Sequence, residues 1–249
     1  MRIAIHAVGE AGRRAALILL AERELVALGM YGYTGPVSER RTIKIRELTG
    51  YDPLATDDAA AASSLAGIAA DDGISCVVTA DQIDPEVTRR FTDSGLTLLA
   101  GANLSGIAES LTAHEVARTD QVTRTVTAWT VPGKPLRRGE PVAFPEPVGA
   151  RWGEVVGRGD GSIRIRVPIE GEWAGASATV IGDADGEHIS RVVGVADLGH
   201  HLDGIALAAG ALMVAEGAVG PGFLRPGDHP EQYLAAALRV GLEVAAYST

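Results

Sequence analysis

Residues 2–20 read RIAIHAVGEAGRRAALILL, and the fold turns on how that stretch divides. Ile3, Ala4 and Ile5 make a short apolar run suited to a strand buried on both faces. Ala15, Ala16, Leu19 and Leu20 share one side of a helix beginning near Glu10. Gly9 and Gly12 lie in the turn between them. A helix start leaves backbone N–H groups unpaired and carries the positive end of the helix dipole, so this turn is a candidate pyrophosphate site. In that reading Ala7, Val8, Gly9, Glu10, Ala11 and Gly12 line the phosphates. Gly9 admits close backbone approach, and Gly12 lets the helix pack closely on the strand. The G-x-G-x-x-G fingerprint is incomplete, because Ala7 stands at its first glycine. Against the variant G-A-x-G-x-x-G the match is HAVGEAG, with His6 at the leading glycine. An ordinary strand-to-helix turn without a ligand would show the same local pattern.

The 249 residues are 46% hydrophobic, enough for a substantial core in one large or two small domains. A formal net charge of -10 and the lack of a dense basic run argue against nucleic acid as a partner. The N-terminal stretch lacks the basic-then-apolar pattern of a secretory signal, and the apolar run 205–215 is too short to cross a bilayer. A cytoplasmic protein without membrane contact is expected. Cys76, the single cysteine, sits in the apolar run ISCVVTA and reads as a small core residue, so neither a disulfide nor a cysteine-rich metal site is expected within the chain.

Residues 25–30, LVALGM, follow the first helix as a second strand, completing a strand–helix–strand unit. An acid at the end of that strand would hold the ribose hydroxyls of NAD. Here the strand runs instead into Tyr31, Gly32, Tyr33 and Thr34. Arg40 and Arg41 follow, placed where a guanidinium meets the extra phosphate of NADP, and this favours NADP over NAD. The alternative is a solvated basic loop. Residues 57–70 (DDAAAASSLAGIAA) read as a helix with an acidic start, and 74–80 as a buried strand. Asp84-Pro85 caps a helix over 86–95, and 96–100 is the next strand. Four strands alternating with helices imply a doubly wound parallel sheet whose ligand lies at the carboxyl ends of its strands. Those ends include Tyr31, Thr79 and Ala80, and Gly101 and Asn103, all candidate cofactor contacts.

The helix over 104–118 leads into VTRTVTAWTV (122–131), whose alternation marks a half-exposed strand. After a proline-rich connection come the short runs 153–157, 162–169, 176–182 and 188–196, as in an antiparallel sheet. Arg164 and Arg166 lie on one face of the second of these, which either binds an anion or faces water. Residues 1–120 thus read as a nucleotide-binding domain and 121–249 as a second domain for substrate and assembly. That second domain closes with a helix after His200-His201 and an apolar helix over 232–247.

HAVGEAG, together with VVTADQIDPEVTRRFTDSGLTLLAGANLSGIAESL (77–111), resembles the dihydrodipicolinate reductase family and its relatives among small amino-acid dehydrogenases. The likeness is fair over residues 1–120 and vague beyond. It implies a Rossmann-type α/β domain followed by an α+β domain with a largely antiparallel sheet. It also implies reduction of a C=N, or oxidation of an amine beside a carboxylate, with NAD(P)H, and homodimers or homotetramers joined through the second sheet. The family carries His-His-x-x-Lys and then P-S-G-T soon after the linking helix, where this chain reads AWTVPGKPLRRGE (128–140). Only Lys134 stands near the family's lysine acid. His201 is a second candidate by residue type, as an acid or base beside a helix start. The leading expectation is an NAD(P)H-dependent oxidoreductase acting on a small amino- or keto-acid derivative. The alternatives are a non-catalytic dinucleotide-binding or sensing protein, and a related fold that holds no nucleotide because His6 blocks the loop.

Overall fold

The computed structural model describes residues 1–37, 39–130, 135, 137–139, 142–143, 151–152 and 170–248. Lys134, Arg164, Arg166 and the runs 153–157 and 162–169 lie outside the described residues. The glycine turn joins β1 (Arg2–His6) to α1 (Glu10–Ala21) and β2 (Ala27–Tyr31). Then come β3 (Thr42–Ile45), β4 (Leu54–Thr56), α2 (Ala62–Asp71), β5 (Cys76–Val78), α3 (Pro85–Ser94), β6 (Thr97–Leu99) and α4 (Leu104–Ala117). Next are β7 (Gln121–Trp129), the mutually paired β8 (Val142–Ala143) and β9 (Arg151–Trp152), β10 (Trp173–Ala184) and β11 (Glu187–Leu198). The chain continues through α5 (Gly199–Ala215), β12 (Gly222–Leu224), a 3-10 turn (Pro226–Asp228), α6 (Pro230–Arg239) and β13 (Ala245–Ser248).

Seven parallel strands form the first sheet in the order β12-β6-β5-β4-β1-β2-β3, and β13-β11-β10-β7 form an antiparallel second sheet. Alternation within the parallel strands feeds two cores. Ile3, Ile5, Ala55, Val77 and Leu99 point to the face covered by α1, α4 and α5, whereas Ala4, Leu54, Cys76, Val78 and Leu98 meet α2 and α3. Each fully buried Leu or Ile contributes about 1.5–3 kcal/mol relative to exposure, so a strand with both faces covered is held far more firmly than its few hydrogen bonds suggest. The first core continues through α4 and α5 to Ala174, Ala176 and Ala178 of β10 and Val193 and Val195 of β11. Small residues there let the second sheet lie close to α4. Cys76 is a core residue, and its complete burial pushes the thiol pKa up to about 12.

Several elements depart from the sequence expectation. The first sheet has three strands beyond the four anticipated. β3 alternates polar and apolar residues at an edge, while β4 and β12 are three residues each, too short to show a period. The helix expected over 57–70 starts only at Ala62, because residues 57–61 turn back toward the glycine loop. The final helix ends at Arg239, with Gly241 at φ 104 just beyond, and β13 then pairs with β11. The proposed division at residue 120 is crossed twice more: α5 packs on α1 and the parallel sheet, and β12 extends that sheet beside β6.

Candidate functional site

Because all seven strands of the first sheet are parallel, their carboxyl ends share one edge, and the side chains that follow them form two clusters there. The first surrounds the glycine loop. Asp57, directly after β4, accepts hydrogen bonds from the backbone N–H groups of Val8, Gly9 and Gly12, each at 2.8 Å. One oxygen takes the Val8 N–H and the other takes both glycines. The N-cap of α1 is Gly9, which has no side chain to close the helix end, so a carboxylate from 48 residues away does so. The loop is therefore a formed oxyanion cradle, filled by the Asp57 carboxylate.

The space beside Gly9 and Gly12 is taken by Asp57. A Cβ at Gly12 would lie 2.6 Å from Asp57 Cγ, and one at Gly9 would lie 2.8 Å from Asp57 Oδ2, so both glycines make room for the bound anion. Gly204 on α5 lets that helix lie close to α1, since a Cβ there would meet Arg14 Cβ at 2.8 Å and the Ala11 carbonyl at 3.1 Å. Two unit charges about 4 Å apart repel by about 4 kcal/mol at an effective dielectric of 20, so the cradle does not hold Asp57 and a pyrophosphate together. Around it, Ala7 is half-buried against the core, Val8 is 52% exposed, and Glu10 pairs with Arg13 at 2.8 Å, away from the cradle. His6 Nδ1 lies 3.3 Å from Thr56 Oγ1, and its ring centroid is 6.4 Å from that of Tyr31. The imidazole thus sits between the ends of β2 and β4.

The second cluster joins the ends of β5, β6 and β12. Gly101, at φ 73, turns the chain so that its N–H donates to the Ala80 carbonyl at 2.8 Å. Asn103 caps α4, accepting from the Gly106 N–H at 3.1 Å, while its amide nitrogen donates to the Thr79 carbonyl at 2.7 Å and to Asp81 Oδ1 at 3.2 Å. Ser105 donates to Asn103 Oδ1 at 2.6 Å. Arg225, just past β12, forks onto Glu109 at 2.9 and 3.1 Å and reaches the Asp81 carbonyl at 3.0 Å. The hydrogen bond to Glu109 is the main reason its pKa is raised, and the guanidinium acts here as a clamp.

The first turn of α5 approaches the ends of both α1 and α4. Arg14, two residues beyond Gly12, donates through Nε to His201 Nδ1 at 2.8 Å, and His201 Nε2 lies 3.6 Å from Asp197. Burial lowers the His201 pKa, with Arg14 and His200 adding to that and Asp197 opposing it, so the ring is neutral near pH 7. Its Nδ1 is occupied as an acceptor. Asp203 accepts the Leu104 N–H at the start of α4 at 2.9 Å, and burial raises its pKa despite that bond.

The structure thus gathers Ala7 to Gly12 around one anion, Thr79, Ala80, Gly101 and Asn103 around another polar cluster, and His201 beside Arg14. Arg40 and Arg41 part company. Arg41 donates to the carbonyls of Leu20, Glu22 (2.7 Å) and Leu25 (3.1 Å), closing the end of α1, whereas Arg40 is exposed. Asp57, Glu109 and Arg225 escaped the sequence reading as site residues. Among the described residues no group of three His, Cys, Asp or Glu is placed to hold a metal, and no helix is long and apolar enough to cross a membrane.

A Rossmann-type parallel sheet joined to an antiparallel sheet, with polar groups gathered at the strand ends, is the two-domain fold of the dihydrodipicolinate reductase type. Solved structures bear this out. The chain is similar to an engineered D-amino acid dehydrogenase bound to NADP+, at 12% identity and TM-score 0.53 over 94% of this chain and 95% of that one. It is also similar to a meso-dapdh mutant with DAP from Clostridium tetani, at 12% identity and TM-score 0.55 over 94% and 95%. A dipicolinate-bound dihydrodipicolinate reductase from a Paenisporosarcina species aligns at 10% identity and TM-score 0.52 over 90% and 97%. At these identities the shared feature is the fold. No family model matches the chain, and no curated protein matches it.

Proposed function

We propose that this chain is an oxidoreductase that uses a nicotinamide dinucleotide, NADP in preference to NAD, to reduce or oxidise a small amino- or keto-acid derivative. The observation that carries the reading is the cradle: three backbone N–H groups converge on one oxyanion at the end of β1, where a dinucleotide's pyrophosphate docks in sheets of this topology. Comparable solved structures with NADP+, DAP and dipicolinate in their names support the substrate class. Bound cofactor would supply the hydride. The chain's own groups would hold the pyrophosphate at Val8, Gly9 and Gly12, meet a 2′-phosphate with Arg40, and orient the substrate between the two sheets while excluding water. Lys134 is the proposed proton donor, and His201, neutral and oriented by Arg14, is proposed to assist it. A homodimer or homotetramer through the second sheet is part of the proposal, and light scattering that finds only monomer would remove that part.

One observation favours a second reading. Asp57 already fills the cradle, as it would in a protein of this fold that holds no nucleotide. Calorimetric titration with NADPH and NADH separates the two, followed by a substrate screen for loss of absorbance at the nicotinamide band. Saturable binding with NADPH tighter supports the oxidoreductase. Absence of binding to the wild type and to Asp57→Asn alike would leave the second reading.

A further inference from the structure

We propose that Asp57 is an internal competitor for the pyrophosphate position: a carboxylate that occupies the cradle in the unliganded protein and must rotate out before a dinucleotide enters. The inference rests on the oxidoreductase reading for the identity of the ligand, though not for the existence of the plug.

Three features support it. The cradle's donors are all engaged by Asp57, with no N–H among Val8, Gly9 and Gly12 left for a second anion. The space a ligand would use beside both glycines is also taken by Asp57, since its carboxylate atoms lie 2.6–2.8 Å from the Cβ position at Gly12 and its Oδ2 lies 2.8 Å from that at Gly9. Finally, among the described residues the Asp57 carboxylate has no hydrogen bond besides those to the cradle. Thr56 Oγ1 accepts the Asp58 N–H at 3.0 Å and Asp58 Oδ1 accepts the Ala61 N–H at 3.0 Å, so the turn is fixed by its neighbours and Asp57 leaves by side-chain rotation alone.

The chemical consequence is selectivity. A lone carboxylate or chloride offers the cradle no more than Asp57 does, and Asp57 has the advantage of being tethered. A pyrophosphate brings more charge and more acceptor oxygens, and a dinucleotide adds contacts beyond the loop. The site therefore rejects simple anions and admits polyphosphate esters, at an affinity reduced by the fraction of molecules in which the plug is closed.

The test compares wild type, Asp57→Asn and Asp57→Ser by calorimetry with NADPH, inorganic pyrophosphate and acetate, each variant first checked for folding by circular dichroism. Both replacements keep a capping side chain but remove the charge. We expect NADPH and pyrophosphate to bind both variants about tenfold or more tightly than the wild type, because removing an ion–amide contact from the unliganded state favours the bound one. Equal NADPH affinity in all three proteins overturns the plug and leaves the oxidoreductase reading standing. Tighter pyrophosphate binding without any NADPH binding supports the plug and overturns that reading. No binding of either probe to any folded variant overturns both. Should neither variant fold, the carboxyl carbon resonance of Asp57 in the wild type decides: it shifts on saturation with pyrophosphate if the plug leaves, and an unchanged resonance refutes the proposal.

Discussion

The first turns of α1 and α4 lie on the same edge of the same sheet, and they are closed in opposite ways. α4 closes its end chiefly with its own Asn103, fixed by the Thr79 carbonyl, while the half-buried Asp203 takes the Leu104 N–H. α1 has glycine at that position and borrows a half-buried carboxylate from a turn after another strand. A local cap is part of the helix and stays. A borrowed cap is held by three hydrogen bonds that a better anion can replace. The contrast teaches that a helix end whose sequence withholds the local cap stays open to an anion brought from elsewhere in the chain, and that strand-end position alone does not decide this.

Breaking the borrowed cap should have the largest effect. Gly12→Val puts a branched side chain where Asp57 Cγ now lies, only 2.6 Å from the Cβ position, so both plug and ligand are excluded. NADPH binding is expected to weaken by about 100-fold or more in calorimetry, with about 1–3 kcal/mol lost in urea denaturation. Unchanged affinity in a folded variant would end the cradle assignment. Breaking the local cap should act on stability alone. Asn103→Ala is expected to cost about 1 kcal/mol, within a range of about 0.5–2, in denaturant titration while leaving pyrophosphate affinity at α1 unmoved. A matched fall in affinity would mean that the two ends are coupled.

Two smaller effects sharpen the same contrast. Arg40→Ala should reduce NADPH affinity by less than about tenfold and leave NADH unaffected, since an exposed ion pair contributes little. A loss for both cofactors would place Arg40 elsewhere. The last concerns Asp203, whose pKa burial raises, so the folded protein favours its protonated form. That contribution is full below the ordinary carboxylate range and is lost as pH rises through the raised value. Asp203→Asn removes this titration and keeps an acceptor for the Leu104 N–H. The melting temperature of the wild type relative to this variant should therefore fall between about pH 4 and neutrality. A difference that stays constant over that interval would show that Asp203 does not titrate with folding.

The α1 half of this contrast was legible in the sequence, because Ile3 to Ile5, Gly9, Gly12 and the α1 apolar stripe are contiguous and obey the local rules for a strand, a turn and a helix. Its occupant was not. Asp57 follows β4 and Arg225 follows β12, and strands of three residues show no period, so Asp57 read as a helix start and no strand was expected before Arg225. Both side chains owe their position to register across the sheet, which no local window contains. α3 shows the reverse case: Asp84, Pro85 and Gly95 at φ 67 are a cap, a first-turn proline and a left-handed end that need only neighbouring residues to be read. The return of β12 to the first sheet was hidden for the same reason as β4, since nothing near residues 222–224 announces a partner in residues 97–99.

That late partner has a consequence for how the molecule is made. The edge of the first sheet waits for a strand roughly half the chain later, and Thr97 donates to the Gly220 carbonyl across a separation of 123 residues. During synthesis, β6 therefore emerges with one side open while the whole antiparallel sheet is still to come, and α5, which covers much of one face, follows three of that sheet's four strands. Contacts of such long range close slowly, and an unpaired parallel edge invites association with other chains until they do. The two sheets are expected to finish together, in one late step, so a nascent chain stopped before residue 224 should be soluble only while a chaperone or the ribosome shields it.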